Sequence, residues 1–293
     1  MDVCQPPHIF LDEARRFAIY SEDYSVVPAR QIGIAGSSSK ILKALALYFN
    51  SDFVRYHQFY YATQWGIRTD IATLASLRAL PVPLGKMEDS EIKSWSGIYE
   101  KLQQNAKSKK GFSQELQEEL LQEANERINK VLGLRDSEKL LIRDFIHYKM
   151  EFIDGRISRD LIDPCEEKQL ATYAKRLEHG LDSFFDPEDG LRHKVTVLKP
   201  SNKSMVGVRI DTLDDNRASQ TFLPSVNIPK RIKELLLKQH SQWLYFQREL
   251  QIYDKNTIFL LKPNEKIQWI ESQALIDANN ILGEVLQMAG GTR

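Results

Sequence analysis

Four side chains in the first third of the chain, Arg30, Gln31, Gln64 and Arg68, are of the types that read base edges. An arginine fork matches the acceptors of guanine, and a glutamine amide matches the donor and acceptor of adenine. All four fall on predicted loops. Four cations nearby, Lys40, Lys43, Arg55 and Lys86, are of the type that neutralises backbone phosphate without reading sequence. Between them runs Gly33-Ile34-Ala35-Gly36-Ser37-Ser38-Ser39-Lys40. It lacks the Gly-Lys-Ser/Thr ending and the spacing of a phosphate loop, so it reads first as a strand-to-helix turn with a serine cap. Even so, Ser38 and Lys40 at a helix start could hold one phosphate. Trp65, beside Gly66, serves equally as a stacking group or as a packing anchor for its loop. Tyr56, Phe59 and Tyr60 recur at helical spacing and read as core before they read as base-stacking groups.

Other chemistry is missing. No CxxC or HExxH spacing occurs, and the six histidines have no ligand-like spacing. Asp186, Glu188 and Asp189 lack the rest of a calcium loop. Ser37 and Lys40 stand at S-x-x-K spacing, with no further partner to make a nucleophile of the serine. No metal site and no catalytic constellation is expected.

The elements that must position these residues follow from the hydropathy pattern. Short β-prone runs at 8–11, 17–20, 25–27 and 31–35 open the chain. A helix follows over 40–48, then an aromatic-rich one over 53–61, a loop at 63–68, a short helix at 73–79 and an extended Leu80-Pro81-Val82-Pro83-Leu84. From residue 88 the texture becomes helical and acidic, with helices expected at about 90–106, 113–131 and 136–150, the second stopped by Gly133. The last block alternates again: a helix over 167–184, an acidic turn at 185–190, and a hairpin of 194–198 and 205–210 turning at 200–203. A short helix at 229–238, strands at 243–246, 250–253 and 257–261, and a closing helix over 272–287 complete it. The expected class is α+β, with a small mixed domain over 1–87, a helical spacer over 88–165 and a C-terminal α+β domain over 166–293.

Composition bounds the rest. The 293 residues carry 40 Lys+Arg against 40 Asp+Glu. Split by texture, the net charge is +2 over 1–86, −7 over 87–190 and +5 over 191–293. Neutrality therefore comes from acidic helices set between two mildly basic blocks, and a modest basic face can bind phosphate on a neutral molecule. There is no apolar run of the ~18 residues a membrane span requires, and no basic segment followed by an apolar one at the start. Two widely separated cysteines, Cys4 and Cys165, do not make a disulfide framework. The expectation is a cytoplasmic protein with no membrane partner.

One ordered pattern goes further. Tyr24-Ser25-Val26-Val27-Pro28-Ala29-Arg30-Gln31-Ile32-Gly33-Ile34 is followed by Leu42-Lys43-Ala44-Leu45-Ala46-Leu47-Tyr48-Phe49-Asn50-Ser51-Asp52-Phe53. Then come Gln64-Trp65-Gly66-Ile67-Arg68 and Leu77-Arg78-Ala79-Leu80-Pro81-Val82-Pro83. This order resembles the target-recognition region C-terminal to the catalytic domain of bacterial adenine-N6 DNA methyltransferases of restriction-modification and phage-defence systems. In that family a strand block leads to a helix ending near Leu-Asn-Ser-Ser/Asp, then an aromatic helix, a Trp-Gly loop and a Leu-x-x-Leu-Pro-Val/Ile-Pro segment. The same pattern recurs in type I specificity subunits. It covers about residues 7–85. The segments Trp243-Leu244-Tyr245-Phe246, Phe259-Leu260-Leu261-Lys262-Pro263 and Trp269 to Ala278 resemble the tail of such proteins.

The family's catalytic half needs a Gly-rich S-adenosylmethionine loop and an Asn/Asp/Ser-Pro-Pro-aromatic motif around a flipped adenine. Here the sole Pro-Pro stands in Gln5-Pro6-Pro7-His8, with the wrong residue on each side. The resemblance thus implies the DNA sequence-recognition portion of such an enzyme, or a stand-alone relative. The chain itself would hold no cofactor, and S-adenosylmethionine would belong to a separate catalytic domain. Its implied partners are double-stranded DNA and a methyltransferase catalytic domain or subunit. The candidate DNA-binding set is Arg30, Gln31, Ser38, Lys40, Lys43, Arg55, Gln64, Trp65, Arg68 and Lys86. The alternative is a protein-interaction module that assembles, or self-associates as a homo-oligomer, through the helices of 88–150.

Overall fold

In the computed structural model the described residues are 3–12, 17–28, 31–61, 74–108, 111–150, 161–185, 190–198, 205–213, 249–254 and 256–290. The chain divides into two compact units, 1–146 and 147–293. The class is α+β, as the alternation of periods implies.

The first unit opens on an antiparallel sheet of β1 (His8–Asp12), β2 (Ala18–Ser21) and β3 (Gln31–Ala35), in the order β2-β1-β3. The register pairs Ile9 with Tyr20 on one side and with Ile34 on the other. Ile9, Leu11, Ala18 and Tyr20 are buried, because successive side chains alternate faces and one face turns inward. The run at 25–27, expected as a strand, is irregular. Val26 is exposed, Pro28 cannot donate to a ladder, and the run's backbone contact among the described residues is a single long bond from the Ser25 amide to the Cys4 carbonyl at 3.4 Å.

Helix α1 (Ser39–Phe49) follows β3, with Ser38 as its extended N-cap. Its stripe Leu42, Leu47, Tyr48 and Phe49 is buried. Helices α2 (Asp52–Tyr61) and α3 (Leu74–Arg78) flank residues outside the described set, and a 3-10 turn at Leu84–Lys86 leads into α4 (Asp89–Ala106). Helix α5 (Gln114–Val131) is capped by the Ser113 hydroxyl, which accepts from the Leu116 amide, and Gly133 ends the segment at a φ of 66°. A side chain is strained at that φ, which is why glycine terminates the turn. Helix α6 (Asp136–Asp144) passes into a π-helical turn at Phe145–Met150 where an uninterrupted α-helix is expected.

The acidic helices are not a separate spacer. Ile92, Trp95, Ile98 and Tyr99 of α4 and Leu120, Ala124 and Ile128 of α5 share one core with β1, β2 and α1. Tyr48 stacks on Trp95 at 6.3 Å and 8°. Their apolar stripes complete the core of the first unit, so the expected boundary at 87 falls inside a compact body.

Among its described residues the second unit forms a four-stranded antiparallel sheet with two helices packed on one face. Strands β4 (Arg192–Leu198), β5 (Met205–Leu213), β6 (Leu250–Asp254) and β7 (Thr257–Pro263) lie in the order β4-β5-β7-β6. The expected hairpin pairs Val195 with Ile210. Helices α7 (Glu167–Asp182) and α8 (Glu271–Gly290) pack Tyr173, Leu177, Ala274, Ala278 and Ile281 against Val206, Val208, Ile210 and Leu260. Leu198, Phe259 and Leu261 form a second buried cluster. The turn at 200–203, the helix at 229–238 and the strand at 243–246 lie outside the described residues.

Candidate nucleic-acid interface

Of the expected DNA-facing residues, Gln31, Ser38, Lys40, Lys43, Arg55 and Lys86 are among those described, and they lie at different places on the first unit. Strand β3 delivers the chain to α1 through Gly36. A Cβ there would stand 3.2 Å from Leu42, so the turn passes close over the first buried apolar residue of the helix. Ser38 then takes the extended conformation of a cap, and its hydroxyl accepts from the Ile41 amide at 3.4 Å. This is the role the plainer reading assigns to it.

Lys40 and Lys43 lie one turn apart on α1, and α4 supplies carboxylates to both. Lys40 Nζ pairs with Asp89. Lys43 Nζ donates to Glu100 at 2.8 Å, lies 4.0 Å from Glu22, and sits 5.1 Å from the centroid of the Tyr20 ring. Its hydrogen bond to Glu100 is the main reason its ammonium titrates above the ordinary lysine value. Tyr20 is itself fixed, since its backbone amide donates to the Tyr99 hydroxyl at 2.8 Å. Lys86 is exposed on the 3-10 turn, three residues before Asp89, and has no ion partner among the described residues. The structure therefore brings Ser38, Lys40 and Lys86 to the region where α1 and α4 begin.

Gln31 and Arg55 are elsewhere. Gln31, read both as a loop residue and as the start of the strand run at 31–35, is the first residue of β3 and pairs with Asp12. That is the end of the strand away from α1, ~13 Å along it. Arg55 lies on α2, 3.8 Å from Asp52. It lines a small hollow with Leu11, Phe17, Phe49, Val54, Gln58 and Leu77. Gln58 is already satisfied there, donating to the Ser76 carbonyl at 2.9 Å and accepting from the Ser76 hydroxyl at 2.8 Å. Arg30, Gln64, Trp65 and Arg68 lie outside the described residues. The α2 aromatics pack as their spacing suggests: Tyr56, Phe59 and Tyr60 all approach the Phe145 ring, at 4.7–5.4 Å. Tyr60 and Tyr61 remain exposed.

The Pro-Pro segment leads directly into β1. His8 is fully buried, its Nδ1 lies 2.8 Å from the Val3 carbonyl, and its ring meets Phe10 edge-on at 4.3 Å. Its side chain belongs to the packing around the sheet.

The motif reading passed over one cluster. In the second unit Lys262 and Asp277 form a buried ion pair, and the Tyr173 hydroxyl donates to the same Asp277 oxygen. Gln273 donates to the other oxygen at 2.9 Å, and the Tyr173 and Trp269 rings lie 5.4 and 5.6 Å from the ammonium. Burial pulls the Lys262 ammonium below its ordinary value and pushes the Tyr173 phenol well above its own. A signal was present in the sequence. Lys262 ends an apolar strand run and Asp277 interrupts the stripe Ala274, Ala278, Ile281, both at positions where periodicity demands an apolar residue. Burial pushes the Cys165 thiol up to about 12. Among the described residues no group of three or more His, Cys, Asp or Glu could hold a metal ion. No described helix is long and apolar enough to cross a membrane.

Comparison with the models of known families, with curated proteins and with solved structures finds no match.

Proposed function

We propose that this chain is the DNA sequence-recognition portion of a bacterial adenine-N6 DNA methyltransferase of a restriction-modification or phage-defence system. Methyl transfer and S-adenosylmethionine binding would lie in a separate catalytic domain or subunit. The observation that carries the reading is the ordered pattern over 7–85: strand block, helix ending at Asn50-Ser51-Asp52, aromatic helix, Trp-Gly loop and Leu-Pro-Val-Pro segment. Arg30, Gln31, Gln64 and Arg68 would read bases, while Lys40 and Lys86 would meet phosphate. Lys43 has a weaker claim, since its side chain is largely buried against Glu100, Glu22 and the Tyr20 ring, and so has Arg55, which lies on α2 and lines a hollow with Leu11 and Phe49.

Gel-shift titration tests this, using the chain alone and the chain joined to its methyltransferase partner, against the duplex that the partner methylates. Lys86→Ala should weaken binding to all sequences alike. Arg68→Ala should cost ~1–3 kcal/mol against the correct site and relax discrimination. Absence of binding by both forms, with Arg68→Ala silent in the assembly, sinks the proposal. The protein-interaction alternative has less to draw on. The apolar stripes of α4 and α5 are buried within the first unit, which leaves Phe112 and Leu116 exposed at the start of α5.

A further inference from the structure

The two lysines of α1 differ in how firmly they are held, and the difference separates a structural cation from one that can be released. The Lys43 side chain is 16% exposed and is enclosed by Glu100, Glu22 and the Tyr20 ring. Removing it from that setting would break a hydrogen bond and a ring contact together. Lys40 is 38% exposed, and Asp89, its partner, is 79% exposed, so their pair stands in water. Exposed pairs of this kind contribute little, because solvent screens the attraction and two flexible side chains must be ordered to make it. Lys86, free of an ion partner among the described residues, lies three positions before Asp89.

We infer that Asp89 is an intramolecular phosphate mimic: its carboxylate occupies Lys40 in the free protein and must be displaced before Lys40 can meet a DNA phosphate. The inference rests on the DNA-binding reading above and adds to it a built-in competitor. A polyanion that also engages Lys86 competes on favourable terms with a single exposed carboxylate. The consequence is a lowered affinity for any sugar-phosphate backbone. The penalty applies to all sequences equally, so the ratio of affinities between sites is set by the base contacts.

The test is fluorescence-anisotropy titration of the full chain with a labelled random-sequence duplex at low salt. Asp89→Asn should tighten binding about two- to fivefold, the range an exposed ion pair spans. Asp136→Asn, which removes an exposed carboxylate paired with Lys139 on α6, should not. In a Lys40→Ala background the Asp89→Asn gain should vanish, and circular dichroism should show every variant folded. The inference is overturned if Asp89→Asn binds like the parent, if Asp136→Asn tightens binding equally, or if the gain survives without Lys40. If the parent and all variants fail to bind any duplex, both alone and joined to the methyltransferase partner, the DNA-binding reading falls first and takes the inference with it.

Discussion

His57 and Lys262 are both titratable residues inside packed surroundings, and each makes stability depend on its neighbours. His57 stacks on Tyr61 at 4.2 Å and 5°, and its Nδ1 is buried with no hydrogen-bond partner among the described residues. Burial lowers its pKa. The unfolded chain then takes up a proton that the folded chain resists. This contribution is present above the ordinary histidine value of about 6.5 and is lost as the pH falls through the depressed folded value. His57→Phe keeps the ring contacts and removes the titration. Its urea midpoint should fall less than the parent's between about pH 7 and about pH 5, and equal slopes would refute this account. For Lys262 the issue is pairing. Asp277→Ala leaves a buried ammonium without its carboxylate and should cost about 3–5 kcal/mol in urea unfolding. Lys262→Met combined with Asp277→Leu should recover most of that loss, because neither charge then needs solvation. A double variant as unstable as the single one would mean that packing, not charge, dominates there.

At the scale of elements, Asn50 joins the end of α1 to the sheet. Its Oδ1 accepts from the Ala18 amide at 2.8 Å, and its Nδ2 donates to the Ala18 carbonyl at 2.8 Å and to the Ala46 carbonyl at 2.9 Å. One side chain thus closes the end of α1 and pairs with the backbone of β2. The next two residues extend the joint. The Ser51 hydroxyl accepts from the Val54 amide at 3.3 Å, and Asp52 is linked to α5 through Asn125. Asn50→Ala would strand the polar groups of a buried Ala18 and should cost about 2–3 kcal/mol, read as a lowered denaturation midpoint. A shift as small as that of an ordinary surface substitution would show that water replaces the amide. The elements themselves were largely legible, because Ile9 and Leu11 alternate at period two and Leu42, Leu45 and Tyr48 recur at helical spacing. Their partners were not. That β1 would lie between β2 and β3, or that Lys40 and Lys43 would meet carboxylates of α4, depends on contacts between residues far apart in sequence. Local pattern carries no trace of these. The π-helical turn after Asp144 likewise has no signature in the periodicity.

For the whole molecule, the charge pattern gains meaning once it is redrawn on the two compact units. By texture it runs +2, −7 and +5 over 1–86, 87–190 and 191–293. By compact unit, 1–146 holds 19 basic and 19 acidic residues and 147–293 holds 21 of each. Each unit is neutral by itself, because the acidic helices read as a spacer belong to the same bodies as the basic blocks. The change of texture at residue 88 marks an outer face. It does not mark a boundary, since the inner faces of α4 and α5 carry the Trp95 and Ile128 side chains of the first core. A neutral unit lacks the field that drives tight non-specific binding to a polyanion. On the proposed reading the chain alone should therefore bind a random duplex with a Kd weaker than about 1 μM at physiological salt. If Lys40 and Lys86 supply the phosphate contacts, two released counterions predict about a tenfold loss of affinity between about 50 and 200 mM salt. Lys86→Ala should flatten that dependence by about one unit in the logarithmic slope. A salt-independent affinity would mean that neither lysine meets phosphate, and nanomolar binding to random duplex at the higher salt would require a cationic surface other than the one where α1 and α4 begin.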